Sequence, residues 1–340
     1  MDDPVKYKFY CYNCRACLGI PPRMRNTEVI CLVCNAKVQA PSPSYAKGTL
    51  INNFKIDTMI GEGSMGEVYS TYHEFMDRWV AIKIIKNEYT GNDSEELLRF
   101  RKEIKTLAKF NHPNIVSALF ADQFGGKDYL VMNYVEGMTL ADILIKEGPF
   151  AYGRVLLYSL HIAKALKHAW DRGELIHRDI KPHNIMLDQK KNIAVLIDLG
   201  IARNFTEKNN LTQHDIVLGS PIYMSPEQGL DEDLDCRSDM YSLGATMYHL
   251  VSGQLPYEGK NSFDLLQTKK DQKPIALENY ISNLPLPFIQ LIYNLMECDR
   301  KDRPESWNEV IEIIKSCIHQ TREKKLVRSG KKFNKFRRSR

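Results

Sequence analysis

Between His177 and Asn184 the chain reads His-Arg-Asp-Ile-Lys-Pro-His-Asn, and fourteen residues after Asn184 comes Asp198-Leu199-Gly200. Two carboxylates, an ammonium and a carboxamide within so short a span are the groups needed to hold a hydroxyl, a phosphate and magnesium together. A hydroxyl attacking a phosphoryl group needs a carboxylate to orient it and accept its proton, and Asp179 is placed for that task. Lys181, two residues on, supplies a cation beside the γ-phosphate. Asn184 and Asp198 offer the oxygen ligands that magnesium takes.

Such groups need a second wall that grips the rest of the nucleotide. Phe54–Ile60 reads as a strand and runs into Gly61-Glu62-Gly63-Ser64-Met65-Gly66-Glu67-Val68, where glycines let backbone N–H groups approach phosphates closely. A second strand, Val68–Tyr72, follows at once. The glycine loop therefore lies between two strands, which argues against a dinucleotide fingerprint and for a hairpin flap over a nucleotide. In the next strand, Val80–Ile85, the two-residue period puts Ala81 and Lys83 on one face. A lysine among apolar strand residues is costly unless paired. A partner is available downstream, in a helix that starts at Asp93 with Glu96 three residues later, a cap-like pattern. Leu97, Phe100, Ile104 and Leu107 form its apolar stripe, and Glu103 borders that stripe within reach of Lys83.

In this order the motifs closely resemble the eukaryotic-like protein kinases, particularly the bacterial Ser/Thr group, over about 54–318. Gly61-x-Gly63-x-x-Gly66-x-Val68 resembles the family's glycine-rich loop, Val80-Ala81-Ile82-Lys83 its phosphate-binding lysine strand, and His177-Arg178-Asp179 its catalytic loop. Asp198-Leu199-Gly200 stands where most members have Asp-Phe-Gly, Ser225-Pro226-Glu227 stands for Ala-Pro-Glu, and Asp302-Arg303-Pro304 supplies an arginine expected to pair with Glu227. The resemblance implies an α+β, bilobal protein-kinase fold with a β-rich N-lobe and an α-helical C-lobe. It implies transfer of the γ-phosphate of ATP to protein Ser or Thr hydroxyls, with Mg2+ as cofactor. The nucleotide-binding set it implies is Ile60, Gly61, Glu62, Gly63, Ser64, Met65, Gly66, Glu67, Val68, Ala81, Lys83, Glu103 and Met132. Asp179 and Lys181 are the implied catalytic pair, with magnesium at Asn184 and Asp198. Arg178 is the implied receiver of an activation-loop phosphate, with Thr206 and the better-spaced Thr212 as acceptors. Ser220 stands at the branch's substrate-loop threonine. A nucleotide-binding pseudokinase scaffold is the alternative, disfavoured because it would not require Lys83, Glu103, Asp179, Asn184 and Asp198 together.

The 340-residue chain carries a net +5, but the last twenty residues hold ten Lys or Arg and one Glu, a net +9, so the rest sums to −4. The basic character belongs to the tail, 319–340, expected to be disordered, with nucleic acid or an anionic membrane as possible partners. Five of the eight cysteines fall in the first 34 residues. Two C-x-x-C pairs with a short spacer suit tetrahedral Zn2+. Cys31 and Cys34 form one pair; Cys11/Cys14 or Cys14/Cys17 forms the other. Leu18, Ile20 and Pro21 follow Cys14 as in many zinc ribbons, which the segment resembles and which favours Cys11/Cys14. A small four-cysteine zinc ribbon over 1–41, open to a docking partner, is thus expected ahead of a Pro/Ser linker at 42–53 and the kinase domain at 54–318. No apolar run approaches the ~18–20 residues of a membrane span, and the acidic start is not a secretory signal, so the expected location is cytoplasmic.

Overall fold

The computed structural model describes residues 7–11, 17–20, 24, 27–40, 44–62, 66–86, 95–198, 221–230, 232–259 and 261–330. Two short antiparallel hairpins come first, β1 (Tyr7–Tyr10) with β2 (Cys17–Ile20) and β3 (Glu28–Ile30) with β4 (Lys37–Gln39). The turn of the second is a tight knuckle. Asn35 adopts the left-handed region at φ 55, its N–H donates to Cys31 O at 2.8 Å, and the Cys31 N–H donates to Ala36 O at 2.9 Å.

The next strands are β5 (Leu50–Ile51), β6 (Phe54–Glu62), β7 (Gly66–His73) and β8 (Arg78–Ile85). Helix α1 (Glu95–Leu107) follows, then β9 (Ala118–Phe124) and β10 (Lys127–Asn133). The strands make one six-stranded sheet in the order β5-β6-β7-β8-β10-β9. Strand alternation sorts its side chains into two cores. Ala81, Ile85, Leu130 and Met132 face α1 and the helical lobe, whereas Tyr69, Ile82, Ile84 and Val131 face the other way. That second face is covered by the N-terminal hairpins, since Cys11, Leu18, Val29 and Val38 join the same apolar cluster. The segment 42–53, read from sequence as a linker, ends as β5 of the sheet.

The helical lobe opens with β11 (Gly137–Thr139), α2 (Leu140–Glu147) and α3 (Tyr152–Gly173). Strands β12 (Ile185–Asp188) and β13 (Ile193–Leu196) complete a three-stranded sheet with β11. Helices α4 (Pro226–Gly229), α5 (Cys236–Ser252), α6 (Ser262–Asp271), α7 (Leu286–Leu295) and α8 (Trp307–Gly330) follow. Nearly every α5 side chain is buried, as expected of a helix at the centre of a lobe. It packs on α3 and α7, while α8 lies along α3.

Helix α8 departs from the tail expected at 319–340: its backbone stays helical through Gly330, and only the remainder lies outside the described residues. Residues 319–329 contain neither proline nor glycine, so nothing local stops the backbone of a helix that already packs along α3. Among the described residues no helix is long and apolar enough to cross a membrane.

Candidate active site

The loop after α3 is held by its backbone. The His177 and Arg178 N–H groups donate to the two oxygens of Asp239 on α5, at 2.7 and 2.9 Å. Arg178 takes a left-handed φ of 67, and its carbonyl accepts from Gln228 Nε2 on α4 at 2.7 Å. A non-glycine residue in that region is costly, and fixing both flanking peptide groups keeps it there.

The loop brings the catalytic candidates together. Lys181 Nζ lies 2.8 Å from Asp179 Oδ2, and Asn184 Nδ2 donates to Asp179 Oδ2 at 2.9 Å and to its backbone oxygen at 2.8 Å. With the Asn184 amide nitrogen turned to Asp179, its remaining function is the Oδ1 acceptor, a hard oxygen of the kind magnesium binds. The Asn184 carbonyl accepts from Ile197 N–H at 3.0 Å, which places the segment entering Asp198 beside it.

Across the cleft, Lys83 Nζ on β8 meets Glu103 Oε1 on α1 at 2.6 Å, and both are buried. Burial alone disfavours the ammonium, but Glu103 and then Asp198 outweigh it and hold the Lys83 pKa above the ordinary lysine value. Lys83 thus stays charged inside the cleft, with two carboxylates near it. On the same face, Met132 pairs with Ala81 across β10 and β8, and both are buried; Val68 packs against this core. Gly66 is required where it stands, because a Cβ there would lie 2.6 Å from Ile84 O.

Other expected positions behave differently. Ile60 is exposed on β6, and the Glu62 carboxylate is paired with Lys86 at 2.7 Å. Glu67, placed by sequence in the nucleotide set, turns to the opposite face of β7, where its carboxylate accepts from the Ser44 N–H and the Tyr69 hydroxyl. It follows Gly66 in the motif, but the two-residue period sends it away from Val68 and the cleft. Gly63, Ser64, Met65, Asp93, Leu199, Gly200, Thr206, Thr212 and Ser220 lie outside the described residues.

Arg303 meets Glu227 in a buried fork at 2.6 and 2.9 Å, and Ser238 donates to the same carboxylate at 2.7 Å. Burial works to raise the Glu227 pKa, but Arg303 outweighs it and keeps the carboxyl below the ordinary glutamate value.

Three residues at work here were not singled out from sequence. Asp239 carried a signal, a carboxylate directly before Met240 and Tyr241 in a strongly apolar helix. Gln228 carried none. Nor did Lys269, whose Lys-Lys-Asp context reads as a solvated helix end. Its Nζ is nonetheless buried in α6 and donates to the backbone oxygens of Pro221, Ile222 and Met224 at 2.6, 2.9 and 2.6 Å. Burial pushes its pKa down to about 7.

In the N-terminal hairpins the sulfurs of Cys11, Cys31 and Cys34 all lie within 4.8 Å of one another. Cys11 Sγ and Cys34 Sγ are 3.7 Å apart. Two thiolates on a tetrahedral zinc, each at about 2.3 Å, are separated by about 3.8 Å, so this donor set fits that ion. Cys14 lies outside the described residues, as does the side chain of Cys17.

Known proteins resemble this chain over the region that follows the N-terminal hairpins. The family model for the protein kinase domain matches residues 54–326. A probable serine/threonine-protein kinase of Clostridium perfringens is 34% identical over 260 residues, covering 76% of this chain and 37% of that protein. Serine/threonine-protein kinase PrkC of Bacillus subtilis is 33% identical over 269 residues, covering 79% and 41% respectively. The chain thus spans about two fifths of the length of these curated relatives. Among solved structures, the Mycobacterium tuberculosis PknI kinase domain matches with a TM-score of 0.62 and 25% identity, over 80% of this chain and 99% of that one.

Proposed function

The chain belongs to the protein kinase family, and from that premise we propose that it is a serine/threonine protein kinase, transferring the γ-phosphate of ATP to Ser or Thr hydroxyls of protein substrates. The observation that carries this reading is the meeting of Asp179, Lys181 and Asn184 around one carboxylate oxygen, facing a buried Lys83–Glu103 pair. In this reading Lys83 grips the α- and β-phosphates and is held in place by Glu103. Asp179 orients the acceptor hydroxyl and takes its proton, while Lys181 offsets charge gathering on the transferred phosphoryl group. Positioning and fixed charge carry most of such a reaction.

A protein kinase domain works with ATP and Mg2+. Asn184, through Oδ1, and Asp198 are the oxygen donors that would hold magnesium, which would supply positive charge to offset that of the phosphates. In this reading Arg178 receives a phosphate carried by Thr212, and Ser220 supplies the hydroxyl that the Ser/Thr branch needs opposite Asp179 and Lys181. Cys11, Cys31 and Cys34, with Cys14, hold a structural Zn2+. The basic C-terminal segment offers a surface for an anionic partner, whether membrane or nucleic acid, and the enzyme acts in the cytoplasm. The alternative is a nucleotide-binding pseudokinase scaffold that recruits partners through the ribbon and tail.

The deciding experiment is γ-phosphate transfer from Mg-ATP to a Ser/Thr-containing protein acceptor, run beside Asp179→Asn. Loss of the positioned base should lower transfer by about 10²–10⁴-fold while nucleotide binding persists. Equal transfer by both proteins, or none by either, would undermine the enzyme reading.

A further inference from the structure

Glu67 follows the last glycine of the hairpin that covers the cleft, yet its side chain lies on the other side of the sheet. It is 6% exposed. A carboxylate so deeply placed requires donors. They come from the segment joining the ribbon to the sheet. The Ser44 N–H donates to both carboxylate oxygens at 3.3 and 3.2 Å, and the Tyr69 hydroxyl donates to Oε2 at 2.6 Å. The next amide of that segment, Tyr45 N–H, donates to the Tyr69 hydroxyl at 3.2 Å. The Tyr45 ring meets Tyr69 edge-on at 5.8 Å, and Lys127 of β10 lies over it at 4.9 Å. Two successive backbone amides are therefore tied to two side chains on one face of β7.

We propose that Glu67 is a positioning residue for the nucleotide: it latches the start of β7, beside Gly66, to Ser44–Tyr45, so the segment leading into the sheet sets how tightly the cleft holds ATP. This rests on the kinase reading of the cleft. The mechanical reason lies in how the hairpin is held. Its β6 arm carries register shifts between Ile56 and Thr58 and between Met59 and Gly61, irregularities that bend and twist that arm and leave β7 the straighter one. Glu67 sits one residue inside the start of β7, directly after Gly66, whose backbone is packed against Ile84 O. A hairpin fixed before nucleotide arrives leaves less ordering entropy to be lost on binding. Because the carboxylate points away from the cleft, a change in nucleotide affinity on altering it cannot come from a lost direct contact.

The test uses the full chain, with Glu67→Gln and, as a variant that leaves the sheet untouched, Ser44→Pro, which deletes the donated N–H. Replacing a charge-assisted bond by a neutral one should raise the KM for ATP, and the Kd for Mg-ADP, by about fivefold. The KM for the protein acceptor and kcat should stay within about twofold. Coupling is reciprocal, so Mg-ADP should raise hydrogen-exchange protection of the Ser44 and Tyr45 amides in the unaltered chain and not in Glu67→Gln. Folded variants with unaltered ATP KM and Mg-ADP Kd would overturn the latch, as would a lower Tm with both constants unmoved, which is the mark of a purely structural contact. If Glu67→Gln does not fold, Ser44→Pro decides alone. An unaltered chain that binds no Mg-ADP would instead overturn the kinase reading, and the latch with it.

Discussion

At the scale of single residues, the catalytic loop depends on one carboxylate outside it. Asp239 gives one oxygen to His177 N–H and the other to Arg178 N–H. An asparagine can satisfy only one of these and turns an N–H2 toward the other donor, a loss of about 1–3 kcal/mol at a buried site. Asp239→Asn should therefore lower kcat by about tenfold or more, because Arg178 relaxes from its left-handed φ and carries Asp179 with it. The KM for ATP should hardly move, since Lys83 and Glu103 lie on other elements; a Michaelis analysis in both substrates checks the split. The contrast between Asp179 and Asp239 marks how far residues were legible in the sequence. Asp179, Lys181 and Asn184 meet within one short loop, so spacing alone brings them together. Asp239 acts across 62 positions, and a pairing at that distance leaves no mark on local spacing. Glu67 shows the opposite case: its place in the motif was legible, and so was the alternation that turns it from Val68, but not that Ser44 would meet it there.

At the scale of elements, strands and the first helix were legible because side-chain period follows from covalent geometry: 54–60, 68–72 and 80–85 all fall inside observed strands, and Leu97, Phe100 and Leu107 are buried along α1. Helix α6 was not, because its function rests on a lysine. Protonated, Lys269 has three N–H donors for three backbone oxygens of the segment 221–224, a one-to-one match that favours the charged form against burial. Its ammonium also lies 5.3 Å from the centre of the Tyr241 ring on α5. Lys269→Met keeps length and apolar stem but removes every donor. The segment 221–224 directly precedes Ser225 and α4, so loosening it disturbs the acceptor side of the cleft and spares the nucleotide side. The expected result is about a tenfold rise in the KM for a protein acceptor, with the KM for ATP within about twofold. Equal changes in both constants would show that the clamp supports the lobe as a whole.

At the scale of the whole molecule, the issue is whether the ribbon is an appendage or part of the catalytic body. A segment of ~30 residues cannot build an adequate core alone, so metal is expected to supply much of its stability. What could not be read from sequence is that the N-terminal hairpins share their core with the sheet. Tyr69, Ile82, Ile84 and Val131 are all almost fully buried beneath Leu18, Ile20, Val29 and Val38, and that face of the sheet would otherwise meet water. Fully burying one such side chain contributes about 1.5–3 kcal/mol, so even partial exposure of a few of them is large against the stability of a domain. Zinc held by Cys11, Cys31 and Cys34 should therefore stabilise the N-lobe as well as the ribbon. Metal analysis should find one zinc per chain. Stripping it with a chelator, or replacing Cys31 by serine, should lower the Tm of the main unfolding transition by at least about 5 °C, with increased binding of a hydrophobic dye, since each kcal/mol lost moves Tm by about 2–4 °C in a body of this size. A tethered but independent ribbon makes the opposite prediction: a small separate transition disappears, the main one stays where it was, and the sheet face remains dry.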